Sequence, residues 1–228
     1  MPLTVSFQVY SYAKSLSGPW STWKTFADTG SNTYTSQTTY ILPFGNSTIY
    51  MGDRWQYPNL MASTYVWLPL DISGTTVTMP NRVNWVPSVG SHTWTAGPTE
   101  TQYEGESASL SNAATSISCY ACNGGKAAGY IGGPNHGRAS FGNINSQSTT
   151  RSTIRVRATN GDSTQRHATI SVNGVSRSLA FLPTTNGNTP SSSSLHCDLK
   201  SGGGNTIVID TADGTYGPDI DILFVPTR

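Results

Sequence analysis

The stretch Gly214-Thr-Tyr-Gly-Pro-Asp-Ile-Asp-Ile-Leu-Phe-Val225 predicts a turn that leads into a buried strand. Its two glycines and its proline favour the turn. Alternate residues of a strand share a face, so Ile220, Ile222 and Phe224 are expected on one face and Asp221 on the other. Both faces are mostly apolar. The carboxylate of Asp221 must therefore be paired or bound to a metal to offset the cost of its burial.

Two further side chains, Tyr216 and Asp219, lie just before this strand. An aromatic plane beside a hydrogen-bonding carboxylate is the combination that a sugar site needs. A loop tyrosine beside solvated acids is the alternative interpretation of the same residues.

The composition is that of an all-β protein of low charge. The chain has 228 residues, of which 11% are charged, and its formal net charge is +1. Nucleic-acid partners are excluded because they require a basic face. The 23 glycines and 13 prolines favour short strands and many turns. No apolar run approaches the ~20 residues of a membrane helix, so no membrane partner is expected.

Cellular location is indicated by low charge and by an Asn-x-Thr sequon at Asn46, both typical of extracellular proteins. No secretory signal opens the chain. We therefore expect a secreted parent protein whose N-terminal part is missing from this sequence.

A shift in composition near residue 97 predicts two units. All six tryptophans precede this point and all three cysteines follow it. We predict a first unit over residues 1–94, a linker over 95–101 and a second unit over 102–228.

The first unit contains two predicted hairpins, Thr38–Leu42 with Thr48–Met51 and Thr64–Leu68 with Thr75–Met79. Four-stranded blades of a β-propeller have this pattern, but about 90 residues supply only one or two blades. Four stretches resemble the C-terminal end of a glycoside hydrolase family 43 domain, in the branch of the fungal exo-β-1,3-galactanases: Ala13–Trp20, Ser36–Tyr40, Tyr50–Trp55 and Ser63–Leu70.

This resemblance implies one to two blades of an incomplete five-bladed β-propeller and an inverting mechanism. Inverting enzymes use two carboxyl groups ~6.5–9.5 Å apart. In the galactanase branch a glutamine replaces the usual base, and Gln37 matches that position. The catalytic acids belong to blades that would precede this sequence. A polar residue on a strand is the alternative interpretation of Gln37.

The second unit opens with Glu104 and Glu106, which are two residues apart and would share one strand face. The first and last strands of small sandwiches often lie together, which would bring both glutamates near Asp221. Such a set of oxygen ligands is the kind that Ca²⁺ prefers.

Between these ends, short strands alternate with turns. About eight or nine strands fit a jelly-roll β-sandwich. The predicted strands include Lys126–Ile131, Ser152–Ala158, His167–Val172, Ser176–Phe181, Leu195–Leu199 and Asn205–Ile209.

The second unit resembles carbohydrate-binding module family 35 over its whole length. The stretches that carry the resemblance are Tyr103–Ala108, Ala128–Gly133, Asn160–Ser163, Ala180–Thr184, Leu199–Gly202 and Tyr216–Asp221. These modules are β-sandwiches that bind a sugar through loops at one end and hold a structural calcium elsewhere.

Site residues follow from the matching positions. The resemblance implies sugar contacts from Tyr216, Asp219, Tyr130, Gly129, Gly161, Asp162, Asn186 and Asn188. It implies calcium ligands at Glu104, Glu106 and Asp221. This unit has no tryptophan, so the stacking plane must come from Tyr130, Tyr216 or Tyr120.

The cysteines predict one local disulfide. A single Cys119-x-x-Cys122 motif without a second pair is not a zinc site. A disulfide between these two residues is favoured over free thiols, which leaves Cys197 unpaired and buried.

Three functions are compatible with the sequence. The favoured one is non-catalytic binding of β-1,3-galactan, of arabinogalactan-type polysaccharide or of terminal galactose. The first alternative is a fragment of an active inverting exo-β-1,3-galactanase. The second is a structural protein that associates through exposed strand edges and tryptophans. The oligomeric state is left open.

Overall fold

Nearly all of the regular structure in the chain is β-strand. The computed structural model describes residues 8–57, 59–147 and 151–227. They form two compact units that meet between Gly97 and Pro98. The all-β class predicted from composition is confirmed.

The first unit is organised around a four-stranded antiparallel sheet of order β3-β4-β5-β6, accompanied by the pairs β1-β2 and β7-β8. Its strands are β1 (Val9–Tyr10), β2 (Lys24–Thr25), β3 (Gln37–Phe44), β4 (Ser47–Arg54), β5 (Thr64–Ser73), β6 (Thr76–Thr78), β7 (Trp85–Ser88) and β8 (Thr93–Ala96). A one-turn segment, α1 (Asn32–Thr35), has positive φ at all four residues, and a 3₁₀ turn covers Leu60–Ala62.

The two faces of this sheet differ in character. Tyr50 pairs with Leu68, and both are buried in a small core with Val66 and Met79. At the neighbouring pair of residues, where side chains point to the opposite face, Trp67 pairs with Met51 and is half-exposed. The two predicted hairpins are present, and together they form one sheet of the size of a propeller blade.

The second unit is a sandwich of two antiparallel sheets. Its strands are β9 (Glu100–Glu104), β10 (Ser109–Ser111), β11 (Thr115–Ser118), β12 (Lys126–Gly129), β13 (Arg138–Ser146), β14 (Arg151–Thr159), β15 (Arg166–Val172), β16 (Val175–Phe181), β17 (Ser191–Asp198), β18 (Gly202–Asp210) and β19 (Asp219–Pro226). Short 3₁₀ turns cover Gly105–Ser107 and Asn123–Gly125.

One sheet has the order β10-β13-β18-β15-β16, and the other has the order β11-β12-β19-β14-β17. β9 pairs with β19 beyond the point where β12 leaves it, so the first and last strands of the unit are neighbours. Alternate residues of both sheets face each other across one apolar core. Core side chains from the two sheets include Phe141, Ile144, Ile170, Ile207, Ile209, Ile154, Val156, Leu223 and Val225.

Strand β19 departs from strict alternation. Arg157 pairs with Ile222 and Ala158 pairs with Ile220, so Asp221 is the extra residue of a β-bulge. The bulge returns Ile220 to the inter-sheet core, whereas the alternation in the sequence predicted that it shares a face with Ile222. That part of the prediction is wrong, because a bulge shifts the period of two by one residue.

Two segments differ from the predicted strand pattern. β13 was not predicted, and it pairs with β18 through two register shifts, one between Phe141 and Ile144 and one between Ile144 and Ser146. The stretch predicted as a linker holds the end of β8 and the start of β9. In the part of the chain that the structure describes, no helix has the length and apolar character needed to cross a membrane.

Candidate functional site

Four loops meet at one end of the sandwich. They follow β12, β14, β16 and β18, and they cover residues 130–137, 160–165, 182–190 and 211–218. Because the strands are antiparallel, the ends of β12, β14, β16 and β18 lie beside the starts of β13, β15, β17 and β19. Most of the predicted sugar contacts lie in these loops or at the first residue of β19. We call this group of loops the loop end.

Tyr130 and Tyr216 expose their rings at the loop end. The two residues are 54% and 47% exposed, respectively. The segments that carry them are held together by backbone hydrogen bonds from Gly133 to Thr215 (2.8 Å) and from Gly217 to Ile131 (2.9 Å). Both exposed tyrosines therefore lie on segments whose backbones pair with each other.

Gly133 is required for this arrangement. A Cβ atom there would lie 2.4 Å from the ring of Tyr216, so the ring packs directly on the glycine backbone. Tyr130 itself has a φ of 58°, which is uncommon for a residue with a side chain. In this conformation its backbone N–H acts to lower the pKa of the Asp219 carboxyl.

Asp219 is a partly buried carboxylate between two charged groups. Its burial raises the pKa of the carboxyl above its usual value. The guanidinium of Arg166 and the N–H of Tyr130 act in the opposite direction, whereas the negative charge of Asp162 adds to the increase. The loop end therefore has an acceptor whose charge depends on its neighbours.

Arg166 ties these groups together. Its Nε donates to Asp162 Oδ2 at 2.7 Å, and its Nη1 donates to the carbonyl oxygen of Gly217 at 2.8 Å. The first of these bonds connects the start of β15 with the loop of residues 160–165. The second connects it with the loop that carries Tyr216. Neither Arg166 nor these contacts were found from the sequence.

The loop of residues 182–190 touches the loop of Gly161. A Cβ atom on Gly161 would lie 3.1 Å from Gly187, so the two backbones are in close contact. The Oδ1 atom of Asn186 accepts from the backbone of Asn188 at 2.8 Å and from Thr189 Oγ1 at 3.2 Å. Asn186 thus shapes its own turn, and Asn188 is partly buried.

One of the predicted sugar contacts is buried within a strand, whereas others lie at the surface of the loop end. Gly129 lies within β12, where it is buried and where a Cβ atom would lie 2.6 Å from Ile117. The absence of a side chain at Gly129 therefore allows Ile117 to pack against the backbone. The residues brought together at the exposed surface are Tyr130, Tyr216, Asp219, Asp162, Gly161 and Asn186.

A buried residue that sequence reasoning missed supports Asp162. Asn160 is almost fully buried, its Nδ2 donates to the carbonyl oxygens of Thr164 (2.9 Å) and Phe181 (3.1 Å), and its Oδ1 accepts from the N–H of Asp162 at 3.1 Å. The Asn160-Gly161-Asp162 turn was visible in the sequence, but the burial of its first residue was not.

A second group of polar residues surrounds Asp221, at the bulge of β19. Asp221 is 0% exposed. Its Oδ2 pairs with the Nε of Arg157, and its Oδ1 accepts from the backbone N–H of Asn123 at 2.9 Å. Asn123 also donates from Nδ2 to Glu104 Oε1 at 2.5 Å. Of the two means of offsetting its burial that the sequence left open, pairing is thus present.

The two glutamates of the predicted calcium site carry unpaired oxygens. Oε2 of Glu104 and Oε2 of Glu106 are buried and have no hydrogen-bond partner among the described residues. Buried carboxylate oxygens without a partner are costly, and a cation would satisfy them. Within residues 8–57, 59–147 and 151–227, no three His, Cys, Asp or Glu side chains converge closely enough to hold a metal by themselves. The chemistry of the two orphan oxygens therefore fits a cation, but carboxylates alone would not complete its ligand shell.

Gly105 allows this arrangement. A Cβ atom there would lie 2.0 Å from the carbonyl oxygen of Ile220, so the chain passes directly against the bulged strand between the two glutamates. No residue with a side chain fits at this crossing.

Cys119 and Cys122 form a disulfide, and Cys197 is a buried free thiol. The Sγ atom of Cys119 lies 3.6 Å from the carbonyl oxygen of Asn188. The disulfide loop therefore connects Asn123, which contacts Asp221 and Glu104, with the loop of residues 182–190. Burial raises the pKa of the Cys197 thiol to about 11, so that thiol is unreactive at neutral pH.

In the first unit, Gln37 is exposed at the start of β3 and pairs with Asp53 on β4. The other two acids of this unit have structural partners. Asp71 pairs with Arg82 at 2.8 Å, and Asp28 accepts from the backbone of Asn81 at 3.2 Å. Residues 1–97 contain no glutamate.

Known structures resemble both units. Over 95% of its length, the chain is similar to an exo-β-1,3-galactanase from Phanerochaete chrysosporium solved with galactose, at 33% identity and a TM-score of 0.67. A variant of that enzyme solved with β-1,3-galactotriose matches with a TM-score of 0.68. The chain spans 50% of the length of these galactanase chains.

The second comparison concerns a family 35 carbohydrate binding module from Clostridium thermocellum. It matches 55% of this chain and 98% of its own length, at 28% identity and a TM-score of 0.50. No protein-family model and no curated protein sequence matches the chain. The resemblances predicted from the sequence are confirmed: the chain is similar to the part of a galactanase in which the end of a glycoside hydrolase family 43 propeller is followed by a family 35 carbohydrate-binding module.

Proposed function

We propose that the second unit binds β-1,3-galactan, or terminal galactose, at the loop end. The observation that carries this proposal is that the half-exposed residues Tyr130 and Tyr216 lie at the same end of the sandwich as the partly buried carboxylate of Asp219. An aromatic ring packs against the apolar face of a sugar, and carboxylates accept hydrogen bonds from its hydroxyl groups.

The choice of galactose is supported by similarity. The galactanase that this chain resembles at 33% identity was solved with galactose and, as a variant, with β-1,3-galactotriose. The disulfide supports a location outside the cell, because such bonds persist in oxidising compartments.

Replacement of Tyr216 by alanine tests the site. We expect the Kd for β-1,3-galactotriose to rise by about tenfold, because the stacking surface is lost. Isothermal titration of the full chain, with Ca²⁺ present, measures this change. Tyr120→Ala is the matched control, since Tyr120 is 77% exposed and lies outside the loop end.

Two results would contradict the proposal. One is the absence of binding heat for galactose and for galactotriose with the unmodified chain. The other is an equal loss of affinity in the Tyr216 and Tyr120 variants, which would place the sugar elsewhere.

We further propose that Glu104, Glu106 and Asp221, completed by amide or backbone oxygens, hold a structural Ca²⁺. The unpaired Oε2 atoms of the two glutamates support this, as does the shared contact of Glu104 and Asp221 with Asn123. Bound calcium would fix the crossing at Gly105 and the start of β19. The role of the ion would be to stabilise these two segments, and it would not contact the sugar.

In a second candidate function, this chain is part of an inverting exo-β-1,3-galactanase. The similarity over 95% of the chain favours this possibility. For this polypeptide alone we expect no release of galactose from β-1,3-galactan. Gln37 cannot protonate a leaving group, and two of the three acids of the first unit are held in structural contacts. Reducing-sugar release by the purified chain, compared with a Gln37→Ala variant, is the measurement. Turnover that disappears in the variant would contradict this expectation.

A further inference from the structure

The sequence holds one N-glycosylation sequon, Asn46-Ser47-Thr48, and the structure places it at the tip of a hairpin in the first unit. Strands β3 and β4 pair as far as Phe44 and Ser47, so Gly45 and Asn46 form the turn between them. Asn46 is exposed and lies outside the core of the unit. The asparagine of the sequon is therefore accessible at the surface.

The geometry of this turn does not require an asparagine. Asparagine is favoured in two-residue hairpin turns because it tolerates positive φ and because its side chain bonds to nearby backbone groups. Here Gly45 takes the positive φ, at 59°, and the φ of Asn46 is not positive. Among residues 8–57, 59–147 and 151–227, the side chain of Asn46 has no hydrogen-bond partner. Neither usual structural reason for a turn asparagine therefore applies to Asn46.

Two other turn asparagines show the contrast. In the hairpin of β15 and β16, Asn173 has a φ of 50°, and its side chain donates to Asn205 at 2.8 Å and accepts from the N–H of Thr206 at 3.0 Å. Asn112 has a φ of 57° and donates to the carbonyl oxygen of His136 at 2.7 Å. Both side chains are held in structural contacts, whereas the Nδ2 atom of Asn46 is left available for modification.

The neighbouring position in the turn is closed. A Cβ atom on Gly45 would lie 2.6 Å from the carbonyl oxygen of His92, so the turn rests on the segment between β7 and β8. The rings of Phe44 and His92 meet edge to face, with their centroids 5.6 Å apart. Because Asn46 is exposed, a bulky group on its side chain can extend into solvent without displacing these contacts.

We propose that Asn46 is the acceptor of an N-linked glycan, which is added while the chain passes through the secretory pathway. In this transfer, Nδ2 of Asn46 attacks C1 of the N-acetylglucosamine of a lipid-linked oligosaccharide diphosphate. The new Nδ2–C1 bond replaces the C1–O bond to the diphosphate, which leaves with the bonding electron pair, and Nδ2 gives up one proton. Thr48 supplies the hydroxyl that the transferase requires at the third position of the sequon.

This inference rests on the extracellular location and not on the sugar site of the second unit. The disulfide between Cys119 and Cys122 supports that location, because such bonds persist in oxidising compartments, which include the endoplasmic reticulum. N-linked glycans are added in the same compartment.

The test uses the full chain, fused to a cleavable secretory leader, expressed in a eukaryotic cell and purified from the medium. We expect its intact mass to exceed the mass of the polypeptide by that of an oligosaccharide. Treatment with peptide-N-glycosidase F should remove the excess and leave aspartate in place of Asn46, which mass spectrometry of the peptide that contains this residue detects.

Three variants locate the modification. Asn46→Gln and Thr48→Ala should lose the added mass completely, and Thr48→Ala does so while keeping the acceptor amide. Ser47→Ala is the matched control and should keep the added mass, because the middle position of a sequon accepts any residue except proline. If Thr48→Ala is not secreted, the peptide from the unmodified chain still decides the question.

Two results would overturn the inference. One is a secreted, unmodified chain whose peptide around residue 46 contains only unsubstituted asparagine. The other is an added mass that persists in Asn46→Gln, which would place the sugar on another residue. A failure of the chain to bind β-1,3-galactotriose would remove the proposed function and leave this inference standing.

Discussion

Replacing Arg157 by methionine is expected to destabilise the second unit by about 3–5 kcal/mol in calcium-free buffer. The substitution keeps most of the side-chain volume but leaves Asp221, which is 0% exposed, without its ion-pair partner. A buried carboxylate that loses its counter-charge pays most of the cost of desolvation. The N–H of Asn123 is a partner that the variant retains.

Calcium should change the size of this effect. If Ca²⁺ binds at Glu104, Glu106 and Asp221, it supplies the missing positive charge and recovers part of the lost stability. The unmodified chain should gain stability from Ca²⁺ as RT ln(1 + [Ca²⁺]/Kd), and the Arg157 variant should gain more. Arg157→Met combined with Asp221→Asn should be more stable than Arg157→Met alone without calcium.

The two units can be followed separately in one sample. All six tryptophans lie in the first unit, so tryptophan fluorescence reports on that unit alone. Amide hydrogen exchange in β14 and β19 reports on the second unit. Arg151→Met is the control, since Arg151 is exposed at the start of the same strand.

Two results would count against this account. A loss below about 1 kcal/mol in Arg157→Met would show that Asp221 does not depend on the pair. Equal unfolding of the unmodified chain with EDTA and with Ca²⁺ would remove the calcium proposal and leave the ion pair intact.

Local sequence patterns predicted where the strands lie more accurately than which face each residue occupies. The final strand was identified from its apolar residues, and the two-residue Asn173-Gly174 turn predicted the hairpin of β15 and β16. The bulge at Asp221 was not predictable, because it depends on which residues of β14 pair with β19, and those residues lie more than 60 positions away.

Strand β13 shows a related limit. It presents Ala139, Phe141 and Ile144 to the core, but a register shift between Phe141 and Ile144 breaks the spacing of these residues. The intervening Gly142 and Asn143 favour a turn in any local interpretation. Pairing with β18 overrides that preference, which is a tertiary effect that one sequence does not reveal.

Some residues of the candidate site were predicted from the sequence, and others were found only in the structure. The resemblance named Tyr216, Asp219 and Asp162, since these lie within recognisable motifs. Arg166 and Asn123 lie outside those motifs, and their contacts with Gly217 and Asp221 span 51 and 98 residues. An opposite-charge pair such as Asp162 and Arg166, four residues apart in a chain of low charge, was the available signal for the first of them.

Asn160→Ala is expected to weaken both the fold and the sugar site. The buried side chain makes three hydrogen bonds, two to the carbonyl oxygens of Thr164 and Phe181 and one from the N–H of Asp162. Its removal leaves buried backbone groups unpaired, which should cost about 2–4 kcal/mol of unfolding free energy. It also frees the turn that holds Asp162 against Arg166.

Asn205→Ala is the matched control. Asn205 is also fully buried, and its side chain bonds to Asn173, Ile144, Lys200 and Gly202. It lies near the start of β18, away from the loop end, so a similar loss of stability is expected without a loss of sugar affinity.

The measurement is the Kd for β-1,3-galactotriose at a temperature where both variants are folded, together with hydrogen exchange in β14 and β18. We expect at least a tenfold weaker Kd for Asn160→Ala and an unchanged Kd for Asn205→Ala. If both variants lose the same affinity, binding follows global stability and the turn at Asn160 has no special place in the site. If neither loses affinity while exchange at Asp162 increases, Asp162 does not contact the sugar, because a freed carboxylate could not hold a hydroxyl group as well as a fixed one.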